Sequence, residues 1–264
     1  MSELQKDITV RTLAKMKKNN QKIVMITAYD TLMAQWAEKA GCPMILVGDS
    51  MGNTVLGYKN TIPVSLEESL ILTAAVCRGR EHAFVVGDMP FMSYQISDAE
   101  AIRNAGRYIK ETGANAIKLE GGAGVAHTIK ALVNASIPVM AHIGLMPQSV
   151  LKDGGYHIHG KDDKEAEQIK KDALAVQEAG AFSVVLEGIP ADLSKEISEM
   201  LDIFTIGIAA GPDCDGQVQV ITDVLSMGGA FIPKHAKVYA EIGKIATEAL
   251  QQYCKEVEEG IFPK

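Results

Sequence analysis

Five apolar runs of the chain break into charged residues in the same manner: VGDS at 47–50, VGDMP at 86–90, KLEGG at 118–122, AHIGL at 141–145 and LEGIP at 186–190. Taken singly, an acidic residue after a strand caps the next helix or binds a loop amide. Asp49, Asp88, Lys118, Glu120, His142 and Glu187 stand on consecutive units, however, and parallel strands would bring all of them to one mouth. Two or three carboxylates with no cysteine or clustered histidine make a hard oxygen site, suited to Mg²⁺ with water-filled positions and poorly suited to zinc. Four carboxylates in one dry mouth repel each other, so a cation and Lys118 are needed to keep most of them ionised, and one is left to act as a base.

Weaker signals surround this set. His157 and His159 in GGYHIHG have metal-ligand spacing, but the glycines and charges around them read as a loop, Gly154 to Lys164, that closes over the mouth. GGAG at 121–124 offers a phosphate cradle, yet a tight turn that lets Glu120 face inward is the plainer reading. Trp36, with Leu32 and Met33, reads as core packing. Met44, Met51, Met89, Met92 and Met146 are either an adaptable apolar wall or filler.

The elements that must position these groups alternate in type. Strands are predicted over Ile23–Ala28, Met44–Val47, Phe84–Gly87, Ala116–Leu119, Val139–His142, Ser183–Leu186, Phe204–Ile208 and Val218–Ile221. Helical periodicity covers Thr31–Ala40, Leu66–Arg80, Asp98–Thr112, Val125–Asn134, Lys164–Ala179, Ala191–Met200 and Lys237–Val257, with glycine stops at Gly41, Gly113 and Gly180. Short helix-to-strand links and longer strand-to-helix links carrying the unusual residues are the asymmetry of a (β/α)₈ TIM barrel. The expectation is a single barrel domain over 1–264 with a short N-terminal helical extension. Its least secure unit is the last, because Gly211–Gly216 leaves little room for a crossover helix. A doubly wound sheet is the alternative, but Tyr29-Asp30-Thr31 follows the first strand where that fold needs a glycine-rich phosphate turn.

Composition narrows the function. The net charge of −7 repels phosphate backbones, and Lys15, Lys17 and Lys18 form the only dense basic group, so nucleic acid is not an expected partner. Cys42, Cys77, Cys214 and Cys254 are scattered with no CxxC, which suits a reduced, cytoplasmic protein. No apolar h-region opens the chain and no apolar run reaches membrane-spanning length, so neither secretion nor a membrane is expected.

The blocks ITAYD (26–30), LVGDSMGNTVLGY (46–58), TIPVSLEE (61–68), VVGDMPFMSY (85–94), GANAIKLEGG (113–122), VMAHIGLMPQSV (139–150), GGY (154–156), VVLEGIP (184–190), DGQ (215–217) and IPKHAK (232–237) closely resemble the ketopantoate hydroxymethyltransferase family. The resemblance implies a cytoplasmic (β/α)₈ enzyme of pantothenate biosynthesis, a homodecamer of two pentameric rings. It implies transfer of a one-carbon unit from 5,10-methylenetetrahydrofolate to the keto acid 3-methyl-2-oxobutanoate, giving 2-dehydropantoate. By the same resemblance Asp49 and Asp88 match Mg²⁺ ligands and Glu120 a third metal-associated carboxylate. Asp49, Ser50, Asp88 and Lys118 match keto-acid positions, Glu187 the proton acceptor, and His142 a residue near the substrate. Two departures stand out: Ala209 in GIAAG where the family commonly has glycine, and His235 in IPKHAK where an aromatic residue is expected. Two other functions fit the sequence less well. A phosphoenolpyruvate mutase or isocitrate lyase-like barrel lacks its KKCGH-type nucleophile motif here, and a non-catalytic metabolite-binding barrel is disfavoured by Glu187.

Overall fold

Period-two alternation along the strands decides which side chains can reach the site. The computed structural model describes residues 6–228 and 232–263, and the chain falls into two compact units that adjoin in sequence at Val218 and Gln219. The first unit carries a closed barrel whose eight strands run in sequence order and whose pairings are parallel. The strands are β1 (Ile23–Thr27), β2 (Met44–Val47), β3 (Phe84–Asp88), β4 (Ala116–Glu120), β5 (Val139–Gly144), β6 (Ser183–Glu187), β7 (Phe204–Ile208) and β8 (Gly216–Gln219). The helices are α1 (Val10–Lys18), α2 (Thr31–Lys39), α3 (Met51–Thr54), α4 (Leu66–Gly79), α5 (Asp98–Arg107), α6 (Ala126–Asn134), α7 (Val150–Asp153), α8 (Asp163–Glu178), α9 (Ala191–Met200), α10 (Ile221–Val224) and α11 (Ile242–Glu258).

One face of the strands forms the barrel interior. Phe84 and Val86 of β3, Ala116 of β4, Met140 of β5 and Val185 of β6 pack there with Met25, Met44 and Phe204. Leu13 of α1 belongs to the same cluster and is fully buried, so α1 plugs the barrel; burial of such a side chain is worth about 1.5–3 kcal/mol. The other face, represented by Ile117, Leu119, Ala141, Val184 and Leu186, packs against Ala105 of α5, Ile129 of α6, Ala173 of α8 and Ile197 of α9. Stepping by two from the interior apolar residues leads to Asp88, to Lys118 and Glu120, to His142 and to Glu187. The register sets Asp88 beside Lys118 and Glu120 beside His142.

Three elements differ from the sequence expectation. β8 begins at Gly216 rather than Val218, and no helix precedes it, since residues 209–215 are irregular. Gln217 and Gln219 hide it from an apolar-run criterion. A Cβ on Gly216 would lie 2.2 Å from the Ile23 carbonyl oxygen, so only glycine lets this strand approach β1. The helix expected over 98–112 ends at Arg107 and widens into a π turn over Tyr108–Thr112, where Thr112 Oγ1 donates to the Tyr108 carbonyl. In the second unit the last helix begins at Ile242, not Lys237, because the amides of Tyr239 and Ile242 donate to the carbonyls of Val224 and Leu225 instead of starting a helical turn. Trp36 is a further correction: it is 45% exposed, since α2 buries Met33, Ala34 and Ala37 and turns Trp36 and Leu32 outward.

Candidate active site

The six strand-end residues singled out from sequence do meet. Asp88 closes β3 and is 1% exposed. Its Oδ1 accepts from Lys118 Nζ at 2.7 Å and its Oδ2 from the Asp49 amide at 3.0 Å, so one carboxylate joins β4 to the loop after β2. The strand beneath is fixed from outside the barrel: Ser69 Oγ of α4 donates to the Asp88 carbonyl at 3.1 Å, and the Tyr108 hydroxyl lies 2.8 Å from the same oxygen. Gly87 makes room for that tyrosine, as a Cβ there would stand 2.4 Å from its ring. Ser50, next to Asp49, has its Oγ 2.9 Å from the Tyr29 hydroxyl.

Glu120 and Lys118 leave β4 on the same inward side, with Nζ 3.8 Å from Glu120 Oε1. That oxygen is buried without a hydrogen-bond partner, and so is His142 Nδ1, 3.9 Å away. His142 Nε2 lies 2.8 Å from the Leu145 carbonyl, which can only accept, so Nε2 carries the proton and Nδ1 the lone pair. Burial, with Lys118 adding to it, holds the histidine well below its usual pKa, as a neutral ring. Glu187 Oε2 stands 3.4 Å from His142 Nε2. At 18% side-chain exposure Glu187 opens to the mouth, whereas Glu120 is nearly sealed at 2%.

The charges do not cancel. Asp49, Asp88, Glu120 and Glu187 face one cation, Lys118. Burial and then Asp88 raise Asp49 to about 6, against the pull of Lys118. Burial pushes Glu120 well above the carboxylate range, with Asp49 and Asp88 adding to it. Glu187 is raised to about 8, chiefly by burial. Burial works against the Lys118 ammonium, but Asp88, Glu120 and Asp49 outweigh it and raise its pKa. Among the described residues no three His, Cys, Asp or Glu side chains are grouped so that together they could hold a metal ion. A hydrated Mg²⁺ does not need such a group, since it keeps several waters and takes one or two carboxylates. Hard donors, surplus negative charge and the unpartnered Glu120 Oε1 all fit such an ion.

The weaker candidates resolve as follows. The GGAG segment is a turn followed by the 3₁₀ turn Ala123–Val125, and the Ala123 amide that a phosphate would use donates to Asp172 Oδ1 at 2.8 Å. His159 Nδ1 is 2.6 Å from Glu165 Oε1 and its ring stacks on His157, with centroids 4.5 Å apart. The His159 amide donates to the Gly188 carbonyl at 2.9 Å and Gly160 is buried, so the far end of the 154–164 loop is anchored, while Gly154 and residues 156–158 are exposed. Met44, Met51 and Met89 are fully buried, while Met92 is exposed. Ala209 adopts φ 50°, the left-handed region that favours glycine. His235 is exposed.

Two site residues lie inside sequence blocks quoted above without having been singled out. Gln148, 5% exposed, donates through Nε2 to Asp49 Oδ2 at 3.0 Å and to the Met89 carbonyl at 2.9 Å. Its amide donates to Glu120 Oε2 at 3.0 Å. The Tyr94 hydroxyl lies 2.9 Å from Gln148 Oε1 and accepts from the Glu120 amide at 3.1 Å. The available signal was an uncharged polar residue directly after Pro147, in the loop following a strand whose end carries His142.

The comparisons with known proteins identify the family. The family described as ketopantoate hydroxymethyltransferase matches residues 7–264. A 3-methyl-2-oxobutanoate hydroxymethyltransferase of Clostridium botulinum (strain Langeland) is 54% identical over 256 residues, which is 97% of this chain and 93% of that protein. One from Pelobacter propionicus is 49% identical over 263 residues, covering 100% of this chain and 97% of that protein. Among solved structures, 2,3-dimethylmalate lyase, a PEP mutase/isocitrate lyase superfamily member, superposes with a TM-score of 0.63 over 97% of this chain and 89% of its own. At 17% identity that likeness shows the fold alone. A family match that spans the barrel and every strand end described above establishes that the chain belongs to the ketopantoate hydroxymethyltransferase family.

Proposed function

We propose that this chain transfers a hydroxymethyl group from 5,10-methylenetetrahydrofolate to 3-methyl-2-oxobutanoate, giving 2-dehydropantoate for pantothenate biosynthesis. Family membership supports the reaction. The observation that carries the mechanism is the placement of Glu187: it ends β6, 3.4 Å from His142, more open than Glu120 and raised to about 8, while Asp88 ends β3 and Lys118 and Glu120 lie at the end of β4.

C3 of the keto acid holds its proton tightly unless negative charge on the keto oxygen is stabilised. Asp49 and Asp88, with Glu120 behind them, would hold Mg²⁺, whose charge supplies that stabilisation when it is bound. Lys118, fixed by Asp88, adds a second positive group, while Ser50 and the Asp49 loop border the space the keto acid would fill. Neutral His142 stands between Glu120 and Glu187, with Nδ1 3.9 Å from Glu120 Oε1 and Nε2 3.4 Å from Glu187 Oε2. Glu187 takes the C3 proton, a general-base contribution of roughly 10²–10⁴ in rate. The electron pair released at C3 then forms a bond to the one-carbon unit; one water supplies the hydroxyl oxygen, the carbon's two bonds to folate nitrogens break, and the nitrogens take up protons as tetrahydrofolate leaves. Residues 154–158 are exposed or half-buried and lie in the loop that follows the fifth strand, where closure would exclude water from the reactive carbanion.

Assembly as a decamer of two pentameric rings is part of the same proposal. It is supported in the second unit by α11, which buries none of its residues and exposes Ile245, Leu250, Tyr253 and Val257. The proposed compartment is the cytoplasm, in keeping with four free cysteines; among the described residues no helix is long and apolar enough to cross a membrane. Incubation with 3-methyl-2-oxobutanoate, 5,10-methylenetetrahydrofolate and Mg²⁺ should yield 2-dehydropantoate. Failure to form it from any of these mixtures, with the protein folded, would overturn the assignment.

A further inference from the structure

We propose that Gln148 is a positioning residue that ties one oxygen of Asp49 and one of Glu120 to the protein and so sets how these two carboxylates face a shared divalent cation. This rests on the metal reading above. Gln148 is the one side chain described here that touches the loop after β2, the end of β3 and, through its own amide, the end of β4. Nε2 donates to Asp49 Oδ2 and to the Met89 carbonyl, and the backbone N–H donates to Glu120 Oε2.

The orientation of the side-chain amide is not a free choice. Its nitrogen faces two acceptors, Asp49 Oδ2 and the Met89 carbonyl, which demand N–H donors. Its oxygen faces the Tyr94 hydroxyl at 2.9 Å and Gln95 Nε2 at 3.3 Å, both able to donate. A flip would set the Gln148 carbonyl against a carboxylate and a backbone carbonyl, neither of which can donate. Tyr94 is held in turn by both backbone groups of Glu120: the amide donates to its hydroxyl at 3.1 Å, and the carbonyl oxygen lies 3.1 Å from the same hydroxyl. The network therefore closes on itself: Glu120 fixes Tyr94, Tyr94 fixes the Gln148 amide, and Gln148 fixes Asp49 and Glu120.

A consequence follows for the carboxylates. With Oε2 committed to the Gln148 amide, Glu120 is left with Oε1, the atom that is buried without a partner. Asp49 likewise has Oδ2 committed. Charged Asp or Glu in place of Gln148 could not serve, since a further carboxylate would face Asp49 where a donor is needed. Outer partners that orient metal-holding carboxylates typically account for roughly 10–100-fold in metal affinity or activity.

The test is Mg²⁺ binding, followed by calorimetry in the presence of 3-methyl-2-oxobutanoate, on the full-length protein and on Gln148→Met, which keeps length and backbone amide but loses both donors. The expected result is roughly 10–100-fold weaker Mg²⁺ affinity, with kcat largely restored when Mg²⁺ is raised to saturation. Tyr94→Phe, which keeps the ring and removes only the hydroxyl that aims the amide, is expected to move Mg²⁺ affinity in the same direction by a smaller factor; it carries the test if Gln148→Met does not fold. A filler role would lower the melting temperature and leave Mg²⁺ affinity alone, and that result in a folded variant overturns the proposal. Absence of Mg²⁺ binding in the unaltered protein would instead sink the metal reading itself, and the positioning role with it.

Discussion

Replacing Lys118 by methionine removes the cation that faces the site's carboxylates while keeping the length of the chain. Lys118 and Asp88 are 2.7 Å apart with side chains only 4% and 2% exposed, and Glu120 Oε1 lies 3.8 Å from the same ammonium. An exposed pair of this type is worth about 0–1 kcal/mol. A buried pair broken on one side costs about 3–5 kcal/mol, because the remaining charge stays in a dry site without its partner. For a chain near this size that is a fall of roughly 6–20 °C in melting temperature. The assay is thermal unfolding followed by circular dichroism in EDTA, on Lys118→Met, Asp88→Asn and the double variant. The double variant is expected to lie nearer the unaltered protein than Lys118→Met does, since no unpaired member of the ion pair remains. Saturating Mg²⁺ is expected to recover part of the loss in Lys118→Met by supplying positive charge to the same carboxylates. A loss below 1 kcal/mol, or a double variant worse than both singles combined, would refute the view that this pair is buried and coupled.

Asp88→Asn should abolish Mg²⁺-dependent binding of 3-methyl-2-oxobutanoate in a folded protein; calorimetry showing undiminished affinity would remove Asp88 from the metal set. Ala209→Gly should stabilise the protein by about 0.5–1 kcal/mol, because relief of a left-handed alanine, about 1–2 kcal/mol, outweighs the extra freedom glycine gains on unfolding, and chemical denaturation reads the difference. Trypsin cleavage at exposed Lys152 and Lys161, on either side of residues 154–158, should slow when Mg²⁺ and keto acid are added together; a rate unaffected by both would make the segment a plain connection.

What could be read from sequence follows from how a barrel works. In β3 to β6 the same alternation that sends Val86, Ala116, Met140 and Val185 inward carries on to Asp88, Lys118, His142 and Glu187, so a charged residue ending an apolar run already has its direction set. Ser50 keeps the inward parity of Met44 and Leu46, whereas Asp49 falls on the other parity and joins the site because the chain turns after β2, where its amide donates to Asp88. Gln148 and Tyr94 were not legible, because they sit in loops where no period aims a side chain, and neither carries a charge that would mark it. The start of β8 was not, because its approach to β1 depends on a missing Cβ at Gly216, not on apolar residues. Trp36 reads as core because it shares a helical face with Leu32 and Met33, but the inward face of its helix is Met33, Ala34 and Ala37, which leaves Trp36 and Leu32 out.

The central claim is that Glu187 removes the C3 proton of the keto acid, and deuterium exchange at C3 of 3-methyl-2-oxobutanoate, in D₂O with Mg²⁺ and no folate, tests it most directly. Glu187 must be ionised to act as base, and with its pKa raised to about 8 the exchange rate should climb as pH rises through that region and level off above it. Glu187→Gln keeps the size of the side chain and cannot accept the proton, so it should bind keto acid while exchange falls by roughly 10²–10⁴. Exchange in Glu187→Gln at the rate of the unaltered protein, with the same dependence on pH, would contradict the account and place the base elsewhere.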